Sequence, residues 1–157
     1  MKTTKTLALA AVALVLLGVL AVGCRPDRYS ELRRQLKTSE QQWAAQKAAN
    51  YSYTLKIGAF APPEITSPVL VTVKDGAPYS IVYVADGKPA TNTFFERANT
   101  VDKLFGIIQQ AIDNKYDETY AAFEADLGYP VEIRLDPQKT AIDEESTYTV
   151  SNLKISP

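Results

Sequence analysis

The chain has no histidine and only one cysteine, one methionine and one tryptophan. The missing histidine removes the usual general base, the side chain that titrates near neutrality and the commonest zinc ligand together. A single cysteine cannot form an intrachain disulfide, a thiolate zinc cluster or a dithiol redox pair. There is no glycine-rich phosphate loop and no Gly-x-Ser-x-Gly elbow, so phosphate cradling and serine nucleophiles lack their usual frames. Charge of neither sign dominates, with 17 Lys and Arg against 18 Asp and Glu. Nucleic-acid binding needs a concentrated basic face, and this balance argues against it.

What is present starts with the position of the cysteine. Cys24 follows a basic tip (Lys2, Lys5), an apolar run from Leu7 to Leu20 and the stretch Ala21-Val22-Gly23. These are the parts of a secretory signal, and Cys24 stands where a bacterial lipoprotein is cut and acylated. Ala21 and Gly23 are small enough to fit a processing peptidase beside an acylated thiol, while the favoured leucine lies at Leu20, one position further back than usual. The alternative is an uncleaved membrane helix, because Leu7 to Gly23 reaches the lower limit of roughly 17 to 25 residues for spanning. The lipoprotein reading is preferred, since an unpaired cysteine here has no other evident use. A diacylglyceryl thioether and an acylated amine, with palmitate-like chains at ~0.8 kcal/mol per buried CH₂, anchor stably. Arg25 instead of an aspartate after the cysteine points to the outer membrane if the host is Gram-negative.

The chain therefore divides into a signal peptide (1–23), an acylated tether (24–37) and a domain (38–157). Removing Lys2 and Lys5 from the 17 basic residues leaves 15 against 18 acids, still near balance. Arg25, Arg28, Arg33, Arg34 and Lys37 make the tether basic, and such residues are worth about 1 kcal/mol each near anionic headgroups. The plainer reading is a solvated helical tether with Tyr29, Leu32 and Leu36 on one stripe.

Thr38 and Ser39, with Gln42 three residues after Ser39, predict a capped helix running through Trp43 to about Ala49. Tyr51, Tyr53, Leu55 and Ile57 alternate with polar residues and predict a strand. Two more strands follow at Val69–Lys74 and Tyr79–Val84, joined by the hairpin dipeptide Asp75-Gly76. Thr91–Arg97 reads as a short edge strand. Thr100 caps a helix whose apolar residues Val101, Leu104, Phe105, Ile108 and Ile112 share one face. Strands at Tyr116–Glu124, Val131–Leu135 and Tyr148–Ile155 complete the chain, the last with a bulge near Ser151-Asn152 where the alternation slips. The expected fold is α+β: one antiparallel sheet, two helices on one face, in the order helix, three strands, helix, three strands. Its other face would be open to water.

In this order the motifs resemble domain-of-unknown-function family 6174, made largely of secreted bacterial proteins and lipoproteins: Trp43, Asn50 to Leu55, Pro62-Pro63-Glu64 and Val71 to Gly76. Thr100 to Phe105, Leu127 to Pro130, Asp143-Glu144-Glu145 and Tyr148 to Leu153 continue the match, which spans about residues 40 to 154. The resemblance implies a fold and a compartment rather than an activity, and suggests that Asp143 is a structural anchor. Many members carry Cys-x-Cys before the Pro-Pro-Glu loop, but Ala59 and Ala61 stand there in this chain, around Phe60. Any disulfide, metal or redox role of that pair is lost here.

Four constellations are candidates for function. Asp136, Asp143, Glu144 and Glu145 offer oxygen ligands to Ca²⁺, but not in the Asp-x-Asp-x-Asp-Gly pattern of a calcium loop, and a solvated acidic turn is the plainer reading. Asp117, Glu118, Glu124 and Asp126 contain pairs that a glycoside hydrolase would hold about 5 to 9.5 Å apart, as would any chain with 18 acids. Ser80 and Lys56 would form a dyad if they met across strands. Tyr51, Tyr53, Tyr79, Tyr83, Tyr120 and Tyr148 fall in predicted strands, where tyrosine suits a face that binds sugar, peptide or protein. Against this, Tyr51, Tyr53, Tyr79 and Tyr83 share the parity of the apolar core, and core packing is favoured for them, as it is for Trp43.

The expectation is a membrane-anchored lipoprotein domain that acts by binding an envelope protein or glycan, without cofactor or metal and without catalysis. An inhibitor or accessory subunit of an envelope enzyme is the second reading, and a carboxylate-dependent hydrolase the third.

Overall fold

The computed structural model describes residues 27–157. The lipidation and cleavage residues Cys24, Ala21, Val22 and Gly23 lie outside them. Six strands form one antiparallel sheet: β1 (Asn50–Ala59), β2 (Val69–Lys74), β3 (Ala77–Tyr83), β4 (Glu118–Phe123), β5 (Pro130–Asp136) and β6 (Ser146–Ser156). The spatial order is β3-β2-β1-β6-β5-β4, so the two three-strand halves join where the first and last strands pair. Two long helices, α1 (Ser30–Ala45) and α3 (Val101–Asp113), pack on one face together with a 3₁₀ segment, Thr93–Ala98. A four-residue helix, α2 (Pro63–Thr66), follows β1. The α+β sheet with its helices on one face is as the sequence implies. Among the described residues no helix is long and apolar enough to cross a membrane.

The core lies between sheet and helices. Tyr51, Tyr53, Leu55 and Ile57 from β1 meet Val69, Val71 and Val73 from β2, and Tyr148 and Val150 from β6. Helix α3 buries Val101, Leu104, Phe105, Ile108 and Ile112 against them, the same five positions whose spacing predicts a buried helical face. Thr100 caps that helix by accepting from the Lys103 N–H at 3.2 Å. Asp75 and Gly76 both have positive φ (52° and 74°), as a two-residue hairpin turn between β2 and β3 requires.

Two expectations are corrected. The first helix does not start at Thr38; it starts at Ser30, and residues 30–37 form its first two turns instead of a tether. Asp27 makes this start possible, because its carboxylate accepts from the Tyr29 N–H at 3.2 Å and its carbonyl from the Ser30 N–H at 2.8 Å. Thr38 sits inside the helix and bonds back to the Arg34 carbonyl at 3.0 Å, a side-chain bond available to threonine in mid-helix. The Thr91–Arg97 segment is no edge strand. Asn92 accepts from the Phe94 N–H at 2.8 Å and turns the chain into the 3₁₀ segment, which buries Phe95 and Ala98.

The slip in the last strand is a bulge, as its alternation predicts. Ser52 pairs with Lys154 and Thr54 with Ser151, leaving Asn152 and Leu153 opposite Tyr53. Asn152 takes positive φ (54°), which asparagine tolerates better than most residues. Leu153 thereby returns to the core side.

Candidate functional site

The face opposite the helices carries the alternate residues of every strand, and no helix among the described residues covers it. Strand register sets its rows. Ser80, Thr72, Ser52 and Lys154 lie side by side, and Val82, Leu70, Thr54 and Ser151 form the next row. Lys56, Thr149, Glu132 and Ala122 follow, then Gly58, Thr147, Arg134 and Tyr120. The result is a broad surface of short hydroxyl side chains interrupted by a few charges. Leu70 is its one large aliphatic residue counted as exposed. At one corner the Arg134 guanidinium lies 4.1 Å from the centre of the Tyr120 ring. Two hollows mark the surface. One of about 330 Å³ is lined by Asn50, Ser52, Leu70, Thr72 and Lys74, and one of about 180 Å³ by Glu118, Arg134, Asp136, Glu145 and Thr147.

The six tyrosines do not share a surface. Tyr51, Tyr53 and Tyr148 belong to the core. Tyr51 and Tyr53 stack at 6.1 Å, and Trp43 meets Tyr51 edge-on at 5.2 Å. The Tyr53 hydroxyl donates to the Ala98 carbonyl at 2.6 Å, and the Tyr51 oxygen accepts from the Val101 N–H at 3.1 Å. The pair thus satisfies polar groups at the start of α3, a structural task. Tyr83 is half-buried and donates to the Glu64 carbonyl at 2.9 Å. Tyr79 is exposed at the β3 edge under the Lys74 ammonium, and Tyr120 alone stands in the register of the open face.

Burial pushes the Tyr53 phenol well above its ordinary value of 10.0, and raises Tyr51 and Tyr148 by the same cause. The folded chain holds these protons more tightly than the unfolded chain does. Their contribution to stability is therefore intact below about pH 10 and is lost as pH rises beyond it, at up to about 1.4 kcal/mol per pH unit for each tyrosine. Urea midpoints are expected to fall steeply from about pH 10 upward, with tyrosinate absorbance of these three appearing only as the chain unfolds. Ionisation of all nine tyrosines before unfolding would contradict the burial argument.

The acidic residues are scattered in purpose. Asp136 and Glu145 come to the same small hollow, while Asp143 and Glu144 are exposed on the loop before β6. Among the described residues no group of three or more His, Cys, Asp or Glu could hold a metal ion. Asp143 contributes a positive φ (70°) to the loop, and its carboxylate anchors nothing by hydrogen bond among the described residues. Asp117 accepts from the Lys139 N–H at 2.9 Å and Glu118 pairs with the Lys139 ammonium at 3.5 Å. Glu124 accepts from the Asp126 and Leu127 N–H groups at 3.1 and 2.6 Å, fixing the turn before β5. Ser80 and Lys56 are two strands and four residues apart, about 16 Å, so the dyad does not form.

Sequence reasoning missed a groove of about 710 Å³ between the 3₁₀ segment and α3, lined by Glu96, Arg97, Asp102, Lys103 and Gln110. Gly106 also lines it, with no atom within 4 Å of where its Cβ would lie, and no local sequence pattern marks the groove. The Lys103 ammonium is already engaged there by the Glu96 carbonyl at 2.7 Å. No curated protein and no solved structure matches the chain. Residues 35–155 match a family of unknown function, DUF6174, and the chain belongs to that family.

Proposed function

We propose that the protein is a bacterial lipoprotein, cut before Cys24 and acylated there, whose domain works at the cell envelope by binding through its open sheet face. The observation that carries this reading is the uncovered six-strand surface, whose central rows hold Ser52, Thr54, Thr72, Thr147, Thr149 and Ser151. Such a face offers donors and acceptors at regular strand spacing, about 4.8 Å across the sheet, with little apolar area for a protein partner. Tyr120, held by Arg134, adds a ring on which a sugar can stack. Glycan is accordingly the favoured ligand among the envelope components. Catalysis is not part of the proposal: Glu118 is held in an ion pair with Lys139, Glu124 is taken up by the turn before β5, and the chain has no histidine.

The test is co-sedimentation of the purified protein with cell-wall glycan, comparing Tyr120→Ala and Thr149→Arg with the parent chain. Retention by the parent and at least about tenfold weaker retention by both variants, about 1.4 kcal/mol, is the expected result. Binding that both variants leave intact would move the site off this face. Turnover of the glycan, lost on removing one carboxylate, would replace the binding reading with an enzyme.

A further inference from the structure

We propose that the domain stands end-on against the bilayer, with the loop tips Phe60 and Ile142 inserted among the lipids. This rests on acylation at Cys24. Phe60 and Ile142 are the most exposed large hydrophobic side chains of the described chain, at 83% and 85%. They belong to different loops yet lie at the same end of the sheet. Phe60 follows Ala59, which ends β1 and pairs with Ser146, and Ile142 sits on the loop that leads into Ser146.

The start of α1 is at that end too. Arg28 and Tyr29 bond to the backbone of Lys115 and Tyr116, immediately before β4. Asp117 in turn bonds to Pro137 and Lys139, in the loop that carries Ile142. Cys24 precedes Asp27 by three residues, so an acyl group on it lies within about 11 Å of chain from this end. The opposite end, with the Asp75-Gly76 hairpin beside Ala49 and Asn50, is the ten-residue length of β1 away, about 33 Å. A lipid anchor thus brings the bilayer to the end that exposes an aromatic and an aliphatic tip, and away from the polar hairpin.

The contact is apolar in character. Arg33 pairs with Asp27 and Asp113, Arg34 with Glu31, and Arg28 with backbone carbonyls, so these cations are engaged within the domain. Asp143, Glu144 and Glu145 follow Ile142, which gives anionic headgroups no electrostatic advantage. Insertion should therefore resist salt and need no anionic lipid.

The full lipoprotein is reconstituted in phosphatidylethanolamine–phosphatidylcholine vesicles with one environment-sensitive fluorophore at Ala61→Cys, Ala141→Cys or Ala77→Cys. Once Cys24 is a thioether, the introduced cysteine is the chain's single thiol. Probes at 61 and 141 are expected to shift to the blue and to be quenched by nitroxide lipids roughly threefold more than the probe at 77, unchanged by salt. Phe60→Ser with Ile142→Ser should abolish the difference, and both side chains are too exposed for this to unfold the domain. Equal, weak quenching at all three sites on a chain that is acylated and stays on the vesicles would overturn end-on docking while leaving the anchor standing. A chain that carries no acyl group by mass and leaves the vesicles would overturn both.

Discussion

Gly128→Ala is expected to cost roughly 2 to 5 kcal/mol, more than any other glycine substitution in the described chain. Two independent effects add there. Gly128 has φ +82°, a region that costs an L side chain about 1 to 2 kcal/mol. A methyl group at the same position would also lie 2.5 Å from the Ser39 carbonyl oxygen and 2.7 Å from the Gln42 Cβ, both on α1. A carbonyl oxygen inside a helix cannot swing aside, so the turn and helix must separate, and overpacking of this kind costs about 1 to 3 kcal/mol. Separation would also disturb the Gln42 bond to the Ala125 carbonyl and the edge-on contact of Trp43 with Tyr129 at 6.4 Å. Trp43 is the sole tryptophan, so its fluorescence follows urea unfolding and senses this very junction. Gly76→Ala supplies the comparison: its φ is +74°, but no atom lies within 4 Å of the added carbon. It should cost about 1 to 2 kcal/mol. Equal midpoints for the two variants would show that the close approach at α1 is not tight.

That junction also shows what could be read in the sequence and what could not. The strands, the hairpin at Asp75-Gly76 and the face of α3 were legible because each is a local pattern, a period of two or of 3.6 or a pair of turn residues. The bulge at Asn152 was legible because it breaks such a pattern. Ser39 was not. Beside Thr38 and three residues before Gln42 it has the look of a helix cap, yet it is 5% exposed in mid-helix, where its carbonyl oxygen lies against the turn at Gly128. A close approach between segments 89 residues apart leaves no trace in either segment alone. The tyrosines divide for a similar reason. Parity assigns Tyr51, Tyr53, Tyr79 and Tyr83 to the covered face, but Tyr79 is 64% exposed, because β3 is an edge strand whose register shifts between Thr72 and Val73 of its partner. Edge position is a property of the whole sheet. The open face was foreseeable as the alternate set of residues, whereas its flat rows of hydroxyls required the strand order.

A chain that starts at Thr38 is expected to lose at least about 5 kcal/mol relative to one that starts at Asp27, enough to unfold a domain whose total stability is of order 5 to 15 kcal/mol. The missing residues include Leu36 and Tyr29, buried to 2% and 6% exposure. Truncating Leu36 alone, as Leu36→Ala, should cost about 2 to 5 kcal/mol through lost burial and the cavity left behind. Removing Tyr29 and Arg28 further strips the hydrogen bonds that hold Tyr116 and Lys115 where α3 turns into β4. The charges of the same segment contribute little. Arg34→Ala breaks an exposed pair with Glu31 and should change stability by no more than about 0.5 kcal/mol. Urea midpoints of the shortened chain, Leu36→Ala and Arg34→Ala separate the two accounts of residues 29–37. Loss in the first two and none in the third makes the segment part of the folded unit. An unchanged midpoint in the shortened chain would return it to the role of tether. The distinction reaches function, because a domain folded from Asp27 onward leaves two residues, Arg25 and Pro26, between it and Cys24. With so short a link, an acyl anchor would fix which end of the sheet meets the membrane and leave the broad hydroxyl face turned sideways, open to a ligand in the envelope.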